Sequence, residues 1–180
     1  MLQLHVEGQE MWDELKEEFT MSPTYDLRLE YSLVSISKWE ATWRKPFLTK
    51  EPKTLPETRD FIRCMTLNQN VPPTVYLALT NEHIKLVDAY CNAKRTATTI
   101  RSYKNYTHSN EIITSEVIYY WMVMYNIPFE CQKWHLSRLM TLIQVCSIKS
   151  GDQPKMSRND IYAQQARLNA QRRARLNTRG

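Results

Sequence analysis

The last 24 residues of this chain, Ser157 to Gly180, read SRNDIYAQQARLNAQRRARLNTRG. Alanine, glutamine and arginine favour a helix. The segment has too few large apolar side chains to bury a face of that helix, so it cannot fold alone. The core must therefore come from what precedes it. Charge divides the chain in the same place. From Lys149 to Gly180 eight Lys/Arg stand against two Asp, a net +6, and the other 148 residues sum to −1. A nearly neutral body with a cationic arm is expected, and such arms usually work by docking onto something.

A chain of 180 residues fits one domain with an extension, or two small domains. Hydrophobic residues at 42% supply an ordinary core, and five Trp and ten Tyr make it aromatic-rich. Three glycines, Gly8, Gly151 and Gly180, exclude most glycine-rich phosphate loops and argue against many tight hairpins. The cysteines, Cys64, Cys91, Cys131 and Cys146, form no CxxC pair, which fits reduced, buried thiols of a cytosolic protein. The N-terminus MLQLHVEGQE lacks the apolar run of a signal segment. No run of roughly 18 apolar residues argues for a membrane span.

Leu2, Leu4 and Val6 alternate with polar residues, a strand pattern. Tyr25, Leu27, Leu29, Tyr31 and Leu33 alternate with Asp26, Arg28, Glu30 and Ser32, a half-buried strand expected to pair with the first. Between them Glu10 to Phe19 reads as either a short helix or part of a long connection. Ser35 or Ser37 is expected to cap a helix through Trp39 and Trp43, ended by Pro46. Thr54 and Pro56 open the next helix. Pro73 starts a short one, and Thr80 caps another. Lys94 to Glu111 reads as an exposed loop. Ser115 and Glu116 open EVIYYWMVMY, apolar nearly all round and expected at the centre of the core. Pro128 precedes a longer helix carrying Trp134, Leu139, Met140, Ile143 and Cys146, punctuated by Gly151 and Pro154. Ser157 to Asp160 resembles a capping box, and the final helix runs to about Leu176. The expected fold is mainly α: an N-terminal β element (1–36), a helical core domain (37–150) and a basic C-terminal helical arm (151–180).

Chemistry-bearing groups are sparse, and no enzyme motif is present. Cys131 and His135 are four apart on the expected helix, but zinc needs about four ligands and no second pair has suitable spacing. A buried Cys beside a polar His is the simpler reading. Asp13, Glu14, Glu17 and Glu18 read as a solvated acidic surface, with contact to the basic arm as the rival. Tyr119, Tyr120, Trp121 and Tyr125 lack interleaved cations and read as core rather than as a base-stacking platform. The arm offers more. Arg158, Arg167, Arg172, Arg173, Arg175 and Arg179 can pair with phosphates. Ile161 and Leu168, seven apart, share a helix face that suits a partner's groove. Protein docking, nucleic-acid binding and a plain solvated tail all stay open.

Four blocks carry a family resemblance: LRLEYSLVSISKWEATWRKPFL (27–48), TRDFIRCMTLNQNVPPTVYLALTNEHI (58–84), ITSEVIYYWMVMYNIPFECQKWHLSRLMTLIQVCSIK (113–149) and MSRNDIYAQQARLNAQRRARLNTRG (156–180). Together, in this order, they resemble siphophage tail-assembly-type proteins, often classed as tail assembly chaperones. The resemblance implies a protein without catalytic residues, metal or cofactor, acting in the host bacterial cytoplasm during phage assembly. Its implied partners are phage structural proteins, the tape measure or tail tube protein. Whichever of Trp134, Leu136, Leu139 and Leu142 do not complete the domain core, Trp134 and Leu139 foremost, would then offer an apolar docking face. A virion structural component whose arm inserts between subunits is the second expectation, and a nucleic-acid-binding module the third. Self-association stays open, and no membrane partner is expected.

Overall fold

The computed structural model describes residues 1–13, 17–99, 112–150 and 158–176. Within them the chain begins with β1 (Leu2–Val6), β2 (Glu10–Asp13), β3 (Glu18–Met21) and β4 (Tyr25–Leu29). β1 and β4 pair antiparallel, with Leu4 opposite Leu27 and Val6 opposite Tyr25. The two-residue period puts Leu4, Val6, Leu27 and Leu29 on one buried face. His5 and Asp26 meet on the other, exposed face at 2.6 Å. Alternation continues past the strand, because Tyr31 and Leu33 are buried too.

The stretch Glu10 to Phe19 is neither a helix nor a plain connection. β2 and β3 form a hairpin, with Glu10 opposite Met21 and Trp12 opposite Phe19. Glu17 turns in the left-handed region at φ 53. A helix here would stack like charges four apart, Glu10 on Glu14, Asp13 on Glu17 and Glu14 on Glu18, which is unfavourable. The hairpin keeps one such juxtaposition, Asp13 opposite Glu18. Gly8 sits where the hairpin leaves β1. A Cβ there would lie 2.4 Å from the Ser22 carbonyl oxygen, so only glycine allows the two chains to approach.

Helix α1 (Leu33–Trp43) begins earlier than expected. Ser32 is the cap, and Ser35 answers it from inside the first turn: Ser32 N–H donates to Ser35 Oγ at 3.1 Å and Ser35 N–H to Ser32 Oγ at 3.4 Å. Leu33, Ile36 and Trp39 face the core. Arg44, left-handed at φ 53, ends the helix two residues before Pro46. Helix α2 (Leu55–Met65) has the expected Thr54 cap and Pro56, and buries Phe61, Ile62 and Met65. Past it the chain returns to the sheet: Leu67 N–H donates to Arg28 O at 2.8 Å and Glu30 N–H to Met65 O at 3.0 Å. Helix α3 (Pro73–Leu77) and Thr80-capped α4 (Asn81–Asn92) follow. Tyr90 on α4 donates to the Glu30 carboxylate at 2.8 Å.

Helix α5 (Ser115–Met124) packs beside α1, but it is not the centre of the core. Ile118 and Met122 are buried, whereas Tyr120, Val123 and Met124 are at least half exposed. Its apolarity runs all round, yet among the described residues neighbours cover one side only. A buried carboxylate fixes its start: Glu40 accepts from Phe47 N–H and from Ser115 N–H, each at 2.8 Å. A negative charge at a helix N-terminus is favourable. A 3-10 helix (Phe129–Lys133) then leads into α6 (Leu136–Ser150), so Trp134 precedes the helix instead of lying within it. Leu136, Leu139 and Ile143 bury the α6 inner face. The sheet and these helices share one core, in which Leu27, Ile36, Ile62, Ile118 and Leu139 are fully buried.

Helix α7 (Arg158–Leu176) closes the described chain. The loop expected over 94–111 is described only as far as Thr99. The Gly151 and Pro154 break and the Ser157 capping residue lie outside the described residues. The chain is thus mainly α with a small N-terminal β element. Among the described residues no helix is long and apolar enough to cross a membrane.

Candidate docking surface

The 19 residues of α7 span about 28 Å at 1.5 Å per residue. Their helix rests on local preference. Alanine recurs at 163, 166, 170 and 174, and no glycine or proline interrupts. Asp160 stands near the positive end of the helix dipole and Arg172, Arg173 and Arg175 near the negative end, both favourable placements. Five arginines against one aspartate leave the helix strongly cationic.

Its described side chains face solvent. Tyr162 is 69% exposed and Leu168 44%. Arg167, Arg172 and Arg173 are exposed, as are the residues between Leu168 and Arg172. Ile161 and Arg175 lie within the same helix. No described α7 residue belongs to the core or packs against it. The helix therefore presents cations and isolated apolar groups that its own body does not use.

The body's two expected docking residues behave differently. Leu139 is fully buried, because it lies on the inner face of α6 between Leu136 and Ile143. It is a core residue and cannot touch a partner. Trp134 is half-buried, with the Arg138 guanidinium 3.9 Å from its ring centre, a cation–π contact that uses one ring face. Nothing described joins Trp134 to α7.

A further apolar area lies on α5. Tyr120, Val123 and Met124 are exposed there, and so is Phe129, whose ring centre is 6.3 Å from that of Tyr119. On the side toward α6, Trp121 and Tyr125 line a groove of about 390 Å³ with Met140 and Ile143. Residue types alone did not reveal this face. The available signal was apolarity exceeding what one packed side of a ten-residue helix can use.

Cys131 and His135 do not share a helix. Cys131 lies in the 3-10 turn, and His135 forms an isolated bridge with Ser32. Both ring nitrogens of His135 are engaged, Nδ1 with Ser137 Oγ at 2.9 Å and Nε2 with the Tyr90 carbonyl at 3.2 Å. Burial lowers the His135 pKa, so the neutral ring is favoured. Among the described residues no group of three or more His, Cys, Asp or Glu is placed to hold a metal. In the acidic cluster Glu17 and Glu18 are exposed at the hairpin tip, and Glu14 lies outside the described residues.

No protein-family model, curated protein or solved structure matches the chain.

Proposed function

We propose that this protein is a non-enzymatic docking factor of bacteriophage morphogenesis, a tail assembly chaperone that holds the tape measure protein through α7. One observation carries the docking role: a 19-residue cationic helix whose described side chains are exposed and absent from the core. A folded body that leaves a long helix unpacked spends no burial on it, so its surface is free for a second macromolecule. The phage assignment rests on the four sequence blocks that resemble tail-assembly-type proteins. The apolar α5 face supports the same reading, since a partner rod with an apolar stripe needs an apolar surface to lie on.

The test is co-expression with the tape measure protein of the same phage. The full chain should keep that protein soluble and co-purify with it. A chain truncated after Ser150 should not. Co-purification unaffected by the truncation would contradict the role given to α7. Mature particles separate the related reading: a chaperone is missing from them, whereas a virion component is present in fixed proportion. Retention on DNA that falls steeply with added salt would assign the arginines to phosphates instead.

A further inference from the structure

A cavity of about 490 Å³ opens between α2, α4 and the α1–α2 connection. That size lies within the range of small-molecule sites, about 300–1,000 Å³. Phe47, Phe61, Ile62, Ile84 and Val87 form its apolar wall. The Phe47 and Phe61 rings stack on each other with centres 4.0 Å apart, which makes this part of the wall aromatic.

Two polar groups on this wall, the Lys53 ammonium and the Tyr31 hydroxyl, lack the ion pair or hydrogen bond such groups normally have among the described residues. The Lys53 ammonium lies 4.3 Å from the Phe47 ring centre and 5.9 Å from that of Trp39. Among the described residues it forms no ion pair. Its neighbour Glu57 is already committed, one oxygen to Lys45 at 2.7 Å and the other to Thr54 N–H and Oγ1 at 2.7 and 2.9 Å. Tyr31 is 9% exposed, and its hydroxyl has no hydrogen-bond partner among the described residues. Burial pushes the Cys91 thiol up to about 12, so it is a neutral wall group and not a nucleophile. Asp88 also lines the cavity, with one oxygen held by Asn92 at 3.1 Å.

The half-buried Lys53 ammonium feels the Glu57 and Glu51 carboxylates only from beyond ion-pair distance, so a closer anionic group would be favourable. We propose that this cavity binds a small molecule with a flat apolar body and a single carboxylate. The carboxylate meets the Lys53 ammonium, and the body lies along Phe47 and Phe61. The Tyr31 hydroxyl supplies a further polar contact within the pocket. Asp88 sets the charge limit, because a second negative group on the ligand would face its carboxylate. This site is independent of the docking role of α7.

The experiment uses the full chain and two probes of one shape, 2-naphthoate and the neutral 2-naphthylmethanol, followed by calorimetry and tryptophan fluorescence. Naphthoate should bind saturably and at least about tenfold more tightly than the alcohol, the margin expected for a charge-assisted contact. Lys53→Met should bring naphthoate down to the level of the alcohol without altering alcohol binding. Ile84→Trp, at a half-buried position, should fill the cavity and abolish binding of both. Circular dichroism on each variant checks folding, and Thr58→Phe is the second occluding variant should Ile84→Trp not fold. Equal affinity for the two probes, a preference that survives Lys53→Met, or no saturable naphthoate binding up to about 1 mM would each overturn the proposal.

Discussion

Helices α2 and α7 are both well-formed, and they exist for opposite reasons. α2 spends every device on its own fold. Thr54 and Glu57 form a reciprocal capping box, Glu57 reaches Lys45, and Phe61, Ile62 and Met65 are buried. The Trp39 and Trp43 indoles donate to the Glu57 carbonyl and to Asp60, tying α1 to it at 2.9 Å each. α7 is longer, yet it has only alanine-rich propensity and a favourable charge gradient, and its described side chains are exposed. A helix held by tertiary burial is part of the body, while a helix held by local preference is an accessory to it.

Substitutions sharpen this contrast. The largest effect belongs to the core: Leu139→Ala should cost about 2–5 kcal/mol, read from urea unfolding of the full chain. A loss under about 0.5 kcal/mol would return Leu139 to the surface role first expected of it. Next is Glu40→Leu, which strands the half-buried Phe47 and the buried Ser115 N–H donors. Each donor left unpaired should cost about 1–3 kcal/mol, and α5 should lose amide protection at its N-terminal turn in hydrogen exchange. Thr54→Ala removes the α2 cap and should cost about 1 kcal/mol by the same unfolding assay. That cap also has an acid response. Lys45 and Thr54 hold the Glu57 carboxyl at a pKa of about 2 against the usual 4.5. Its contribution is fully present above pH 4.5 and fades as pH falls toward 2. Glu57→Gln should flatten the unfolding midpoint across that window, and an unchanged acid limb would count against the pairing. The smallest effect belongs to α7: Leu168→Ala should change stability by less than about 0.5 kcal/mol.

Features that rest on neighbours along the chain were legible before any coordinates. The β1 and β4 alternation, their pairing, the Thr54 and Thr80 caps and the end of α7 near Leu176 all follow from local residue order. What escaped depends on residues far apart. Glu40 meets Ser115 across 75 positions, and no pattern in either segment announces it. The β2–β3 hairpin carries no glycine turn, so its acidic run resembled a helix or a link. Ser32 hides its capping role in the sequence because it completes the alternation of the preceding strand. The burial of Leu139 and the exposed face of α5 are not legible for one reason: apolarity tells how much surface wants cover, and only packing tells which surface receives it. The Lys53 cavity is invisible in the sequence because its wall joins four separate stretches.

Thermal unfolding of a chain truncated after Ser150 tests the central claim most directly. A body that is complete without α7 should melt cooperatively within about 2 °C of the full chain, since less than about 0.5 kcal/mol is at stake. A drop of about 8 °C or more would mean that the arm supports the core, and α7 would then be part of the fold rather than a grip for another molecule.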